Sequence, residues 1–106
     1  MTSQRTRDYE VVMVLSPEST EDEAKSTVDR ITEIITRQGG EITHEENWGV
    51  RRLAYPIKRF VEGNYFLARF RLESEGVLEV DQTLNAAQDV LRHLVMRMDK
   101  DALAAL

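Results

Sequence analysis

The run Thr20-Glu21-Asp22-Glu23, followed by Ala24, Val28, Ile31 and Ile35, constrains the fold more than any other feature of this chain. Thr20 and Glu23 have capping-box spacing, in which each side chain bonds the other residue's backbone N–H. Glu18, Glu21, Asp22 and Glu23 also suit the positive pole of a helix dipole. The apolar residues recur at i, i+4, i+7 and i+11, a single stripe to be buried. Gly39-Gly40 stops the helix, where a left-handed residue costs glycine little. The pattern predicts a helix over about residues 20–38 that needs a surface to pack against.

Strand patterns supply that surface. Tyr9–Leu15 is rich in β-branched residues. Glu10 marks the face it shares with Val12 and Val14 as exposed, which leaves Tyr9, Val11, Met13 and Leu15 for the core. Ser16-Pro17 ends the strand, since proline cannot donate to a ladder. A long strand follows from about Glu41 to Ala54, with a bulge at Gly49. Tyr55-Pro56 and Glu62-Gly63-Asn64 bracket a connection to a further strand, Tyr65–Leu72. There Phe66, Ala68, Phe70 and Leu72 alternate with Tyr65, Leu67, Arg69 and Arg71. Ser74 is placed to cap a second helix with the stripe Val77, Val80, Leu84 and Ala87. Val90–Met98 is a last strand, apolar at both parities apart from Arg92, His93 and Arg97, and 99–106 reads as a loose tail.

The order β-α-β-β-α-β specifies an α+β, ferredoxin-like plan: a four-stranded antiparallel sheet with two helices on one face. The other face stays open and would carry Val12, Val14, Tyr65, Leu67 and Arg69. Apolar residues on an open face, beside a last strand that is apolar on both sides, suggest a docking partner.

Residues 1–106 suit one domain, with a folded core of about 8–98. Without cysteine there is neither a disulfide framework nor a thiolate metal site. No apolar run approaches the roughly 20 residues that span a bilayer, and Met1 to Arg7 lacks the apolar stretch of a secretory signal. A cytoplasmic protein with no membrane association is expected. Net charge is −5, against the trend for general nucleic-acid binders, yet its distribution is uneven. Residues 51–71 hold six bases against one acid, and the remainder eight bases against eighteen acids. A basic segment in an acidic chain suits one defined anionic surface, with acidic flanks that repel unrelated phosphates.

No catalytic constellation emerges. His44 and His93 are the only imidazoles, and adjacent Glu45-Glu46 point to opposite faces of a strand, which is wrong for a carboxylate dyad. Gly39-Gly40 follows a helix, whereas a phosphate loop leads into one. An acylphosphatase-like hydrolase lacks its phosphate cradle here. No enzyme, cofactor, metal or small-molecule substrate is expected. Trp48 fits core or strand-edge packing better than base stacking, and the aromatic strand residues do not form the pattern of an RNA-recognition module.

The segment Trp48-Gly49-Val50-Arg51-Arg52-Leu53-Ala54-Tyr55-Pro56-Ile57-Lys58 places charge at a strand end stiffened by Pro56. It resembles the bacterial small-subunit ribosomal protein S-six family, whose members show W-G-x-R-R/Q-L-A-Y-P-I at this point. The resemblance continues through Arg7-x-Tyr9-Glu10, Glu62-Gly63-Asn64-Tyr65-Phe66-Leu67, Asp89-Val90-Leu91-Arg92 and Val95-Met96-Arg97, over about residues 7–98. It implies the same fold and binding to the central domain of small-subunit ribosomal RNA together with ribosomal protein S-eighteen. RNA contact is carried over to Arg7, Arg51, Arg52, Lys58 and Arg92, and partner contact to the open face at Val12, Val14, Tyr65, Leu67 and Arg69. The chain departs from the family at Ala87-Gln88, where relatives often have Asn-Glu, and at Val50, where some have a base. The alternative is a ferredoxin-like oligomerisation or ligand-sensing module whose sheet pairs with itself.

Overall fold

The computed structural model describes residues 6–98, so the tail expected over 99–106 lies outside the described residues. The elements are β1 (Thr6–Leu15), α1 (Glu21–Arg37), β2 (Glu41–Ile57), β3 (Phe60–Glu73), a 3-10 turn (Ser74–Gly76), α2 (Val77–Ala86) and β4 (Val90–Met98). The strands form one antiparallel sheet in the order β2-β3-β1-β4, the expected α+β plan.

α1 begins at the capping box. Thr20 Oγ1 accepts from Glu23 N at 3.1 Å, and Glu23 Oε1 accepts from Thr20 N at 2.8 Å. Ala24, Ile31 and Ile35 are buried, joined by Thr27 and Ile34, whereas Val28 packs at the margin of the core. Thr27 is tolerated inside because its hydroxyl donates to Asp89 Oδ2 at 2.7 Å. The Asp89 carbonyl in turn accepts from Ser16 N at 2.7 Å, so one residue ties the exit of β1, the helix and the entry to β4 together.

Beneath the helices, Tyr9, Val11, Met13 and Leu15 pack with Phe70, Leu72, Val80 and Leu84, and the Tyr9 and Phe70 rings stack at 5.6 Å. The opposite face of β1 is less exposed than its sequence suggests. Glu10 and Val14 are buried, and Val12 is half-buried. β1 is an interior strand, flanked by β3 and β4. Glu10 accepts from Arg69 Nε at 3.1 Å, and Val14 lies against the β3 backbone at Gly63.

The connection expected between Tyr55 and Asn64 is instead strand. β2 runs on to Ile57, β3 starts at Phe60, and Lys58-Arg59 alone make the turn, with Lys58 at φ 53°. Pro56 is compatible with this because β2 is an edge strand. Ser74 does not cap α2. It opens the 3-10 turn, and the helix starts at Val77 without a side-chain cap.

β4 follows its expected bounds, and its pairing assigns its two faces. His93 and Val95 lie opposite Met13 and Val11 under the helices, while Leu94, Met96 and Met98 lie opposite Val12, Glu10 and Asp8 on the open face. His93 Nε2 sits 2.7 Å from Asp81 Oδ1, tying β4 to α2.

Candidate nucleic-acid and partner interface

Directly paired residues of antiparallel strands share a face, so the register maps the open side of the sheet. From β2 to β4, one row reads His44, Arg69, Glu10, Met96, and the next Glu46, Leu67, Val12, Leu94. A third reads Gly49, Tyr65, Val14, Arg92, and beyond it Arg51 lies opposite Gly63. Leu67 and Val14 are buried within the chain, while Leu94 and Met96 are exposed and Val12, Tyr65 and Met98 are half-buried on this face.

The β2 side of this face is built by a bulge. Asn47 Oδ1 accepts from Gly49 N at 2.8 Å, and Gly49 takes φ 76°, a conformation glycine enters without a Cβ penalty. The ladder pairs Asn47 with Phe66 and then Gly49 with Tyr65, so Trp48 is the extra residue. In a regular strand, residues 48 and 51 would point to opposite faces. The bulge puts both on the open one. Trp48 stacks on Tyr65 at 6.3 Å with 17° between the rings, and the Arg51 guanidinium carbon lies 5.7 Å from the Trp48 ring centroid. Arg51 Nε donates to the Trp48 carbonyl at 3.3 Å. Trp48 Nε1 donates to Glu46 Oε1 at 2.7 Å, and His44 Nε2 is 2.5 Å from Glu46 Oε2. The Trp48 hydrogen bond, followed by that from His44, holds the Glu46 carboxyl below its ordinary range.

Cross-strand pairing also sorts the cations. Within the basic segment, Arg59 pairs with Glu18, Arg69 with Glu10, and Arg71 with Asp8 and Glu41. Among the described residues, Arg51, Arg52, Lys58 and Arg92 have no carboxylate partner. Arg51 and Arg92 share the open face at one end of the sheet, and Arg92 Nη1 donates to Tyr55 Oη at 2.6 Å. Lys58 stands at the hairpin tip on that end, lining a shallow depression with Leu91 of β4. Arg52, opposite Glu62, is at the same end with helix-side parity. Arg7 lies apart, beside Leu72 near the start of β1. Seven residues separate it from Val14, which at the strand rise is about 23 Å. Its Nη1 donates to the Thr6 carbonyl at 3.0 Å. The structure therefore gathers Arg51, Lys58 and Arg92, with Arg52 behind them, and leaves Arg7 at the far end.

Comparison with known proteins matches residues 8–97 to the family described as ribosomal protein S6. The chain belongs to that family. Small ribosomal subunit protein bS6 of Carboxydothermus hydrogenoformans is 40% identical over 94 residues, covering 89% of this chain and 98% of the relative. The Aquifex aeolicus bS6 protein is 42% identical over 89 residues, covering 83% and 81%. The crystal structure of 30S ribosomal protein S6 from Thermotoga maritima superposes with a TM-score of 0.83 at 30% identity, over 88% of each chain.

Members of the S6 family are structural ribosomal proteins and not enzymes. Among the described residues no group of His, Asp and Glu is placed to hold a metal ion, and no helix is long and apolar enough to cross a membrane. His44 is exposed and bonded to Glu46, and His93 is nearly buried against Asp81. The sequence pattern of the family could identify the Arg51 rim. It could not identify Trp48, Glu46 and Tyr55 as its supports, because the Trp48 stack on Tyr65 and the bonds to Glu46 and from Arg92 depend on strand pairing that the sequence does not show.

Proposed function

We propose that this small-subunit ribosomal protein binds the central domain of small-subunit ribosomal RNA jointly with ribosomal protein S-eighteen. It acts in the cytoplasmic ribosome by rigid positioning. The observation that carries the reading is the convergence of the unpaired cations Arg51, Lys58 and Arg92 on one end of the sheet. They stand at the margin of the apolar open face. Unpaired cations attract phosphates without first breaking an internal ion pair, and fixed ones set the register of a duplex. Arg52 and Arg7 extend the RNA contact to the helix side and to the far end of β1.

The partner occupies the open face. Leu94 is 49% exposed and Met96 38%, beside Tyr65, Val12 and the half-buried Arg69. A partner seated there buries this apolar row together with the rims of Val14 and Leu67. The chain's net charge of −5 makes a basic partner the natural complement, and the pair then meets RNA with less acidic repulsion. Titration of a central-domain RNA fragment with this chain, with and without S-eighteen, tests the reading. Affinity is expected to rise about 5- to 150-fold with the partner, the usual range of coupling between sites. Equal affinity in both titrations would refute joint binding.

A further inference from the structure

We propose that Trp48 is a stacking seat for one unpaired nucleobase, with Arg51 placed to take the phosphate beside it. The inference deepens the RNA-binding reading and rests on it. Base stacking requires an accessible aromatic ring held flat at a fixed place. Trp48 meets each condition. It is 38% exposed on an edge strand, and Tyr65 backs the ring at 6.3 Å and 17°. The indole nitrogen is fixed by its 2.7 Å bond to Glu46.

The bulge argues that this placement is more than strand-edge packing. Asn47 and Gly49 shift the register by one residue and so bring Trp48 and Arg51 to the same face, which a regular strand forbids. The product is an aromatic plane with a cation over it, at 5.7 Å from the ring centroid, which an incoming base meets together with the ring. That pair matches a nucleotide, which joins a planar base to an anionic phosphate within one unit. Arg51 is tethered through Nε to the Trp48 carbonyl and lies with its guanidinium carbon 5.7 Å from the Trp48 ring centroid, and its terminal amino groups donate to no acceptor among the described residues, so they remain for phosphate oxygens. A protein side chain on the same ring is the competing occupant. The neighbouring cation disfavours it, because the basic partner expected on this face would repel Arg51.

Trp48 is the sole tryptophan of the chain, so its emission reports the seat directly. Wild-type protein is titrated at low salt with a short single-stranded oligoadenylate and, separately, with an abasic phosphodiester of equal length. Saturable quenching by the first and not by the second is the expected result. Equal quenching by both, or by neither, overturns the proposal. In a second arm, Trp48→Leu and Trp48→Phe are compared with wild type for binding the central-domain RNA fragment with the partner present. Trp48→Leu is expected to bind about tenfold more weakly with an unchanged salt slope, while Trp48→Phe keeps most of the affinity. Wild-type affinity in Trp48→Leu overturns the seat. So does a loss of S-eighteen binding measured without RNA, which would assign the ring to a protein side chain. Failure of the wild-type complex to bind the RNA fragment would sink the RNA-binding reading instead, and the oligoadenylate titration would still decide the seat.

Discussion

Substitution of Gly63 by alanine acts where β3 runs directly against Val14 of β1. A Cβ at this position would lie 2.3 Å from Val14 Cγ1, 3.4 Å from Leu53 Cδ2 and 3.6 Å from the Leu15 carbonyl oxygen. Carbon atoms rest about 3.5–4.0 Å apart, so the Val14 methyl has to retreat by roughly 1 Å or more. It has little room. Val14 is 5% exposed, and its branched Cβ confines it to few rotamers. Overpacking of this kind costs about 1–3 kcal/mol. Val14→Ala alone removes two buried methyl groups, worth about 1.6 kcal/mol at about 0.8 kcal/mol each. In the double variant the methyl group added at position 63 enters the space that Val14 vacates. The double variant should therefore be more stable than the sum of the two losses by about 1–2 kcal/mol, within the range for residues in contact. Equilibrium urea unfolding of wild type, both singles and the double, followed by far-UV circular dichroism, measures the cycle. Losses that add within about 0.3–0.5 kcal/mol would refute the steric argument.

Three further outcomes are expected. Ile31 is 2% exposed in the core beneath α1, and Ile31→Ala should cost about 2–5 kcal/mol in the same urea assay; a loss below about 0.5 kcal/mol would contradict the packing. Thr20→Ala removes one half of the capping box and should cost about 1 kcal/mol, with Thr20→Ser restoring most of it. Glu46 has a folded pKa depressed from 4.5, so its contribution is present above the unfolded value and is lost as pH falls through the folded one. Stability of the wild type should then decline more steeply than that of Glu46→Gln as pH drops below 4.5, and parallel curves would contradict the Trp48–Glu46 bond.

Much of the fold could be read from the residues because local and global signals agree. The capping box starts α1, the Phe66–Leu72 alternation faces the core, and the order of elements leaves a single plan. The misreadings share a cause. Pro56, Gly63 and Asn64 are turn formers by composition, yet here an edge strand tolerates the proline and a close approach requires the glycine. Ser74 has the chemistry of a cap, but the chain spends it in a 3-10 turn. Glu10 read as an exposed charge because its partner, Arg69, stands far away in sequence. The candidate site shows the same limit. A count of bases along 51–71 makes six equivalent cations, and only strand pairing shows that Arg59, Arg69 and Arg71 are already matched by acids from other segments. The parity of Arg51 with Leu53 and Tyr55, and of Arg52 with Ala54, does follow from the sequence. Which of the two sets joins Trp48 depends on the bulge.

That sorting makes the central claim testable in one comparison. RNA affinity is measured across a salt series, with partner present, for wild type, Arg51→Ala and Arg71→Ala. Each phosphate contact contributes nearly one to the slope of log K against log salt, so loss of Arg51 should weaken binding and lower the slope by about one. Arg71 is held by Asp8 and Glu41, and its removal should leave the slope as it is in wild type. Both substitutions are at exposed positions and should leave the unfolding free energy within about 0.5 kcal/mol of wild type. An Arg51→Ala protein with wild-type slope and affinity, or an Arg71→Ala protein with the greater loss, would contradict the account.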